Sequence, residues 1–274
     1  MASLETGTTE LLATLEEGVA LLTLNRPRSR NALSDTLSPA LRQMFARLRD
    51  MPDARCVVLT GTGTAFCAGG DIKGMGGQQE PRPDRPTTRE GFVAELTERQ
   101  RTLTGALYAL PQPTIAALPG AAAGAGFSIA LACDLRIAAE SAFVTTGFAT
   151  VGLAGDYGAS FFLPRLVGQA RARELFFTAD RVDAQRCLDL GIVNRVVPDA
   201  ALMDETLTLA RRLAAGPSVA YRYMKANLDR GAREDLDTCL AYEAEATVAT
   251  AQTTDHAEAV RGFVEKRKPN FRGS

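Results

Sequence analysis

Two glycine-rich stretches organise this chain: Gly61-Thr-Gly-Thr-Ala-Phe-Cys-Ala-Gly-Gly-Asp71 and Pro119-Gly-Ala-Ala-Ala-Gly-Ala-Gly-Phe-Ser128. Each follows a short apolar segment that is typical of a buried strand. Residues with small side chains let backbone N–H groups approach a ligand closely, and a helix N-terminus adds the positive end of its dipole. Neither stretch has the spacing of a P-loop or of a Rossmann fingerprint. Spacing alone leaves two interpretations open, a backbone binding site or close packing of a helix on a strand.

Strands and helices alternate around these stretches in the first half of the chain. Hydrophobic periodicity and turn signals predict strands at 11–15, 19–24, 55–60, 114–118 and 135–138. Helices are predicted at about 35–51, capped by Ser34 or Asp35, and at 92–110 and 124–131. Residues 74–91 have no periodicity and are predicted to form a mobile surface loop. Beyond Leu163 the strand signals fade, and helices are predicted at 171–178, 184–190, 204–213, 219–229, 235–249 and 255–266.

This pattern predicts an α/β protein whose first half contains the sheet and whose last part is helical. Short strands in recurring strand–strand–helix units favour a stacked α/β spiral, although the pattern by itself also allows a doubly wound sheet. We expect a core at residues 1–200 and a helical region at residues 201–274. A chain of 274 residues is long enough to bury a substantial core.

Composition excludes several classes of site. The chain has one histidine, His256, and no tryptophan. A serine or cysteine triad would have to use His256, and a metal site built from several histidines is excluded. The 31 Lys and Arg residues balance 32 Asp and Glu residues, so a net charge of −1 gives no field that attracts nucleic acid or anionic membrane. We therefore expect no metal, no nucleic acid partner and no membrane partner.

Cysteine usage predicts a cytoplasmic protein. The five cysteines are odd in number and contain no Cys-x-x-Cys pair, which argues against a disulfide framework or a zinc ribbon. The first ten residues lack the basic and apolar segments of a secretory signal. The longest apolar run, near residues 121–132, is interrupted by glycines and is too short for a membrane span.

Four segments together resemble the crotonase superfamily of enoyl-CoA hydratases and isomerases. They are Phe66-Cys-Ala-Gly-Gly-Asp-Ile-Lys73, Gly120…Gly124-Ala-Gly126, Ala132-Cys-Asp-Leu-Arg136 and Phe263-Val-Glu-Lys-Arg-Lys-Pro-Asn-Phe271. The resemblance runs from about Leu11 to Phe271. It implies a ββα spiral core, a C-terminal helical region that forms a homotrimer or a hexamer of two trimers, and an acyl-CoA thioester substrate. Since coenzyme A is part of that substrate, no separate cofactor is implied.

The resemblance also implies the residues of the site. The backbone N–H groups of Gly70 and Ala125 would form an oxyanion hole for the thioester oxygen, and each such donor stabilises a transition state by about 3–4 kcal/mol. The residues implied in binding the acyl-CoA lie beside the glycine stretches, in the turn at 26–30 or at the last helix: Arg28, Ala68, Gly69, Asp71, Ile72, Lys73, Gly124, Phe263 and Lys266. For Lys266, the solvated end of a charged helix is an open alternative.

The acid–base residues of a hydratase are missing from this sequence. Hydration of an enoyl thioester uses two carboxyl groups that hold a water between them. In the hydratases that the chain resembles, these carboxyl groups occupy the positions that correspond here to Ser128 and Phe148. Phenylalanine cannot transfer a proton, and an unassisted serine is a poor general base. Hydration by two carboxylates is therefore disfavoured.

One carboxylate, Asp156, remains in the segment Gly152-Leu-Ala-Gly-Asp-Tyr-Gly158, just before a helix predicted at 158–166. It could be a helix N-cap, which is a common role for aspartate. The resemblance favours a catalytic role, because isomerases and dehalogenases of the superfamily carry a catalytic aspartate at the corresponding position. Apolar neighbours would raise its pKa towards the working range: Phe148, Leu153, Tyr157, Phe161 and Phe162. A dehalogenase would also need a nearby histidine and an aromatic cage.

A single carboxylate suits double-bond isomerisation, because it can remove a proton α or γ to the thioester carbonyl and return it elsewhere. We therefore predict an enoyl-CoA isomerase. One alternative is a hydratase with non-standard acid–base residues. A more remote alternative is a non-catalytic RNA-binding or assembly protein, but RNA binding would call for a lysine-rich helix and the chain has only four lysines. Structural roles are predicted for Asp134 (backbone hydrogen bonds), Asp71 (turn cap), Cys67 (packing), Ser128 (filling the vacated position) and His256 (helix start).

Overall fold

The computed structural model describes residues 2–71 and 86–274, whose strands form two sheets. The strands are β1 Ala2–Ser3, β2 Leu11–Glu16, β3 Val19–Leu24, β4 Cys56–Gly61, β5 Ala65–Cys67, β6 Thr114–Leu118, β7 Ala121–Ala123, β8 Leu135–Ala139, β9 Phe143–Thr145, β10 Val182–Asp183 and β11 Arg195–Val197.

The larger sheet has the strand order β1-β2-β3-β4-β6-β8-β11 and is parallel from β3 onwards, whereas β1, β2 and β3 pair antiparallel. The smaller sheet has the order β10-β9-β7-β5, in which β5, β7 and β9 are parallel. The chain passes from β4 to β5, from β6 to β7 and from β8 to β9, so each strand pair places one strand in each sheet. This arrangement is the expected ββα spiral and not a doubly wound sheet.

The helices follow the strand pairs and then make up most of the C-terminal part. They are α1 Leu37–Arg49, α2 Arg89–Gln100, α3 Ala106–Tyr108, α4 Ala125–Ala132, α5 Ala159–Val167, α6 Gln169–Thr178, α7 Ala184–Asp189, α8 Leu202–Ala214, α9 Ser218–Gly231, α10 Leu236–Ala251 and α11 Thr254–Val264. A π-helical turn, Arg101–Gly105, joins α2 to α3. None of the helices in the described ranges has both the length and the apolar character needed to cross a bilayer.

The hydrophobic core lies against the parallel part of the larger sheet. Every residue of β4 is buried, as its continuous run of apolar and β-branched residues predicts. Helix α1 buries one face at helical spacing, and its first turn is held by the Ser34 hydroxyl, which accepts a hydrogen bond from the backbone N–H of Leu37 (2.9 Å). The helix begins at Leu37 and not at about residue 35, and the residue directly before it, Thr36, makes no side-chain capping bond, so neither Ser34 nor Asp35 is its N-cap, contrary to the prediction.

Two sequence predictions about local structure need correction. Helix α2 begins at Arg89 and not at Phe92, because the Thr88 hydroxyl accepts a hydrogen bond from the N–H of Gly91 (3.1 Å) and caps the helix earlier. Most of the loop predicted at 74–91 lies outside the described residues. In the half predicted to be helical, β10 and β11 are strands, and β11 extends the parallel sheet beside β8. Strands of two or three residues are too short to show a periodicity of two.

The helices after residue 200 differ in how they pack. Helix α8 contacts β3, β4, β6 and β8 and buries Leu202, Leu209 and Ala210 in the core. Helices α9, α10 and α11 bury few side chains within this chain. The division at 200/201 remains a prediction, and the first helix after it packs on the sheet.

Candidate active site

The first glycine stretch places a backbone N–H, that of Gly70, three residues after β5 and without a partner among the described residues. The N–H of Leu33 donates to the carbonyl of Gly69 (2.8 Å), and the N–H of Asp71 donates to the carbonyl of Leu33 (3.3 Å). Gly70 lies between these two bonds, and its own N–H donates to no group within residues 2–71 and 86–274. A parallel ladder pairs alternate residues, so the N–H of Gly70 points away from Leu33.

The second glycine stretch places another donor beside the first. Gly124 adopts a positive φ of +52° and turns the chain from β7 into α4, so the N–H of Ala125 stands at the start of a helix. The first N–H groups of a helix have no partner within it. A Cβ on Gly69, whose φ is +92°, would lie 2.8 Å from the carbonyl oxygen of Ala123 and 3.4 Å from the nitrogen of Ala125. The two stretches are therefore in direct contact, and glycine at position 69 allows that approach.

A buried asparagine holds the first stretch in place. The Asn31 amide donates to the carbonyls of Thr62 (3.0 Å) and Ala65 (2.8 Å) and accepts from the N–H of Arg26 (2.8 Å). Its side chain is fully buried. The sequence analysis did not identify Asn31. In the structure its φ is +57°, a conformation in which asparagine is enriched, so the residue type suits this position.

Asp71 forms an ion pair with Arg26 (Nη2 to Oδ2, 3.2 Å), and Arg26 also pairs with Glu10 (3.3 Å). These contacts tie the end of the glycine stretch to β2 and to the turn after β3. The turn that Asp71 was predicted to cap lies at residues that the structure does not describe. Ile72 and Lys73, which were predicted to bind the substrate, also lie outside the described residues.

Asp156 lies in a short loop before α5 and does not cap that helix. The residue preceding α5 is Gly158, and no side chain in the described part of the chain caps the helix. Gly155 and Gly158 have φ values of +111° and +84°, and Tyr157 has φ +49°, so three of the four residues from 155 to 158 adopt positive φ. The Oδ1 atom of Asp156 is buried and has no hydrogen-bond partner among the described residues. Burial raises the pKa of Asp156 from 3.8 to about 6.

Aromatic rings surround the loop that carries Asp156. Phe148 packs almost parallel to Phe176, with ring centroids 5.9 Å apart. A Cβ on Gly155 would lie 3.1 Å from Phe176 and 3.7 Å from Phe148, and a Cβ on Gly158 would lie 2.8 Å from Phe162. These rings supply the apolar surroundings that the sequence predicted, with two differences. Phe176 was missed, and Leu153 is 55% exposed, so it adds little buried apolar surface.

The positions that the resemblance assigns to the two hydratase carboxyl groups hold Ser128 and Phe148, and both residues lie beside Gly124. Ser128 is fully buried, and its Oγ lies 3.2 Å from the carbonyl oxygen of Gly124 and 3.0 Å from that of Asp156. Phe148 is 5% exposed, and its ring lies 3.8 Å from where a Cβ on Gly124 would stand. The region thus contains the Asp156 carboxyl and no second acidic side chain at these two positions.

The residues predicted to bind coenzyme A fall into two groups. The turn Pro27–Ser29, which carries the exposed Arg28, adjoins the first glycine stretch, because the N–H of Ala68 donates to the carbonyl of Arg30 (3.0 Å). Phe263, which is 86% exposed, and Lys266 lie at the end of α11. In the described ranges, no hydrogen bond or ion pair links Phe263 or Lys266 to either glycine stretch.

Three other residues have the structural roles that the sequence predicted. The Asp134 carboxylate accepts from the N–H and the hydroxyl of Thr114 (both 2.8 Å), and it also pairs with Lys225 (2.9 Å). The Cys67 thiol is buried, which raises its pKa to about 12 and makes it a poor nucleophile. His256 is exposed in the first turn of α11, where its N–H donates to the Thr253 hydroxyl (3.1 Å).

Comparison with known proteins identifies the family. A family model described as enoyl-CoA hydratase/isomerase matches residues 14–274. A Bacillus subtilis (strain 168) protein named as an enoyl-CoA hydratase/isomerase is 38% identical over 270 residues, which cover 97% of this chain and 99% of that protein. The 1,2-epoxyphenylacetyl-CoA isomerase of Escherichia coli (strain K12) is 35% identical over 264 residues, which cover 96% and 98%.

Solved structures agree with the sequence relatives. The crystal structure of an enoyl-CoA hydratase from Bacillus anthracis matches with a TM-score of 0.87 and 34% sequence identity, over 97% of this chain and 100% of that chain. The relatives' names include both hydratases and an isomerase, and the match extends over nearly the whole chain. The protein therefore belongs to the enoyl-CoA hydratase/isomerase family of the crotonase superfamily.

Proposed function

We propose that this enzyme isomerises the double bond of an enoyl-CoA and uses Asp156 as its acid–base residue. The observation that carries the proposal is the Asp156 carboxyl, which has one buried oxygen without a hydrogen-bond partner in the described ranges and a pKa raised to about 6. A carboxyl group with a pKa in this range can both accept and return a proton near neutral pH. The positions that carry the two hydratase carboxyl groups hold Ser128 and Phe148, which supports a mechanism with one carboxylate.

In this mechanism the N–H groups of Gly70 and Ala125 donate to the thioester oxygen. They stabilise the negative charge that develops on this oxygen when a proton leaves the α carbon. Asp156 removes that proton, and the resulting dienolate carries charge on both the α and the γ carbon. Asp156 then returns the proton to the other carbon, so the double bond moves and no atoms are gained or lost. The reaction transfers a proton and no electrons, so it requires no redox cofactor.

The acyl-CoA would be bound along the two glycine stretches. We assign its contacts to the residues implied by the resemblance: Arg28, Ala68, Gly69, Asp71, Ile72, Lys73, Gly124, Phe263 and Lys266. Arg28 stands in a turn that adjoins Ala68, which supports its contact with a phosphate of the nucleotide. Phe263 and Lys266 are exposed on a separate helix, so their contact depends on how the long CoA moiety, or a second protomer, reaches them.

Hydration is the second candidate, because a structural neighbour is an enoyl-CoA hydratase. Direct assay separates the two reactions. The purified protein is given a 3-enoyl-CoA and, separately, a 2-enoyl-CoA, and the products are identified by chromatography and mass. We expect conversion of the 3-enoyl to the 2-enoyl thioester without a gain of 18 Da. Rapid formation of 3-hydroxyacyl-CoA from the 2-enoyl thioester, with no isomer formed, would instead establish hydration by a different base.

Helices α9, α10 and α11 carry an unusual amount of exposed apolar surface. The largest exposed side chains on them are Met224, Leu228, Leu236, Leu240, Val248, Val260, Phe263 and Val264, each more than half exposed. Surfaces of this kind mark protein–protein contacts. Together with the implied trimerisation region, they support a homotrimer or a hexamer of two trimers.

This assembly predicts a solution mass of three or six times 29.2 kDa, measured by light scattering after gel filtration. Leu228→Glu places a charge on the apolar surface and should shift the mass towards that of the single chain. Leu12→Glu, at an exposed leucine on β2, is the matched control and should leave the mass unchanged. A single-chain mass for the unmodified protein would contradict the prediction.

A further inference from the structure

Ser128 is the side chain that joins the two halves of the proposed site. Its residue lies in the first helical turn after Ala125, and it is fully buried. Its hydroxyl oxygen is within hydrogen-bond distance of two backbone carbonyls, Gly124 O (3.2 Å) and Asp156 O (3.0 Å). These carbonyls belong to segments 32 residues apart along the chain. Because Ser128 contacts both carbonyls, it restrains the position of the Asp156 loop relative to α4, and not only the first turn of α4.

One of these carbonyls shares a peptide group with a proposed oxyanion donor. The carbonyl of Gly124 and the N–H of Ala125 are parts of the same planar peptide unit, so restraining one restrains the direction of the other. The N–H of Ser128 also donates to the carbonyl of Gly124 (3.0 Å). Ser128 thus contacts the peptide group that would hold the thioester oxygen through both its backbone and its side chain.

The other carbonyl belongs to the residue that would transfer the proton. The loop around Asp156 has three positive φ values and little regular hydrogen bonding of its own. The carbonyl of Asp156 accepts from the Ser128 hydroxyl and from the N–H of Ala159 (3.2 Å). On the other side of the loop, the N–H of Tyr157 donates to the side-chain oxygen of Gln100 (2.9 Å).

We propose that Ser128 is a positioning residue that sets the separation between the Asp156 carboxyl and the N–H of Ala125. Proton transfer requires the carboxyl group to stand within hydrogen-bond reach of a carbon whose position is set by the oxyanion donors. The hydroxyl has one proton, which it donates to the carbonyl of Asp156 at the shorter distance (3.0 Å), while the N–H of Ser128 donates to the carbonyl of Gly124 (3.0 Å). Together these two bonds from one residue hold that separation in the absence of substrate. The inference rests on the proposed function, and it adds a role for a residue at which hydratases carry a carboxyl group.

Two variants and one control test this role. Ser128→Ala removes the hydroxyl, and Ser128→Cys keeps nearly the same volume while replacing the hydroxyl with a weak donor. The control is Thr60→Val, which removes another buried hydroxyl that donates to a backbone carbonyl, that of Ala117 (3.0 Å) between β4 and β6. The readout is the pair kcat and KM for 3-enoyl-CoA isomerisation, together with the thermal midpoint of each variant.

We expect both Ser128 variants to lower kcat by about tenfold or more and to leave KM within about twofold, because displacement of the base affects the transition state and not binding. Thr60→Val should lower the thermal midpoint by a comparable amount and leave kcat within about twofold. The inference is wrong if kcat of Ser128→Cys stays at the level of the unmodified enzyme, or if Thr60→Val loses as much kcat as the Ser128 variants.

The outcome for Asp156→Asn separates this inference from the proposed function. If Asp156→Asn retains turnover, the proposed function fails and no positioning role for Ser128 follows from it. If Asp156→Asn is inactive and both Ser128 variants keep kcat, the proposed function stands and only the role of Ser128 is overturned.

Discussion

Asp156→Asn is expected to lower kcat for 3-enoyl-CoA isomerisation by about a thousandfold, the middle of the range for loss of a general acid–base residue. An amide has nearly the shape of the carboxyl group but cannot accept the α proton. Steady-state assays at pH 8 measure the loss. KM should change little, because the proposed thioester contacts come from backbone N–H groups of Gly70 and Ala125, which the substitution leaves intact.

The same substitution should stabilise the fold. The pKa of Asp156 is about 6 in the folded protein against an ordinary value of 3.8, so the folded chain holds this proton more tightly than the unfolded chain does. The free energy of unfolding therefore falls as the pH rises from about 4 to about 6, and it stays lowered above that range. Asp156→Asn removes this cost, which we expect to be on the order of 1–2 kcal/mol at pH 8 after allowing for partial exposure.

These two effects together distinguish a catalytic aspartate from a structural one. Thermal unfolding of both proteins at pH 8 and at pH 4 should give a higher midpoint for the variant only at pH 8. In the unmodified enzyme, kcat/KM should fall below pH about 6, because the base must be ionised. An active variant, or an inactive variant with a lower midpoint at pH 8, would contradict a role for Asp156 as a desolvated base.

Gly126→Ala is expected to damage both stability and activity, because α4 lies directly against β5. A Cβ at this position would stand 2.2 Å from the carbonyl oxygen of Cys67 and 2.7 Å from its Cβ. These are buried atoms of a strand, so the helix must move away from the strand. We expect the free energy of unfolding to fall by about 3 kcal/mol, the upper range for overpacking a core. The shift should also separate the N–H groups of Gly70 and Ala125 and lower kcat.

Urea unfolding and isomerase assays check this prediction, and Gly105→Ala provides the control. Gly105 is exposed in the turn between α2 and α3, and a Cβ there would meet only ordinary contacts at 3.8 Å. Because alanine favours helical conformation over glycine, this control should be neutral or slightly stabilising. A Gly126→Ala protein as stable and as active as the control would show that α4 tolerates a larger separation from β5.

The sequence predicted the longer elements well and missed the shorter ones. Strands β2, β3, β4, β6 and β8 have five or six residues, enough for an apolar pattern to be visible. Strands β5, β7 and β9 have three residues each, and they form because each pairs with a strand from another turn of the spiral. The residues of such a short strand do not indicate which distant strand it will pair with. Strand β11, which pairs with β8, was missed for the same reason.

The candidate site divides in the same way. The glycines at 69, 70 and 124 can be identified from the sequence, because their residue type itself permits close backbone approach and positive φ. Asn31, Gln100 and Phe176 could not be found, since each acts through a contact with a residue distant along the chain. The residues next to each of these three in the sequence do not indicate such a contact.

By itself, the sequence determined which chemistry is available: backbone donors in two glycine stretches, one carboxylate in Asp156, and no carboxyl group at 128 or 148. Only the tertiary structure showed that Asp156 does not cap the following helix and that its Oδ1 atom is buried without a hydrogen-bond partner among the described residues. A helix cap and a desolvated base look alike in sequence, because both are an aspartate before a helix. They differ in solvation. The sequence already placed Phe148 and Phe162 close to Asp156 along the chain, whereas Phe176 comes from the next helix, α6, and its packing against Phe148 and Gly155 appears only in the folded structure.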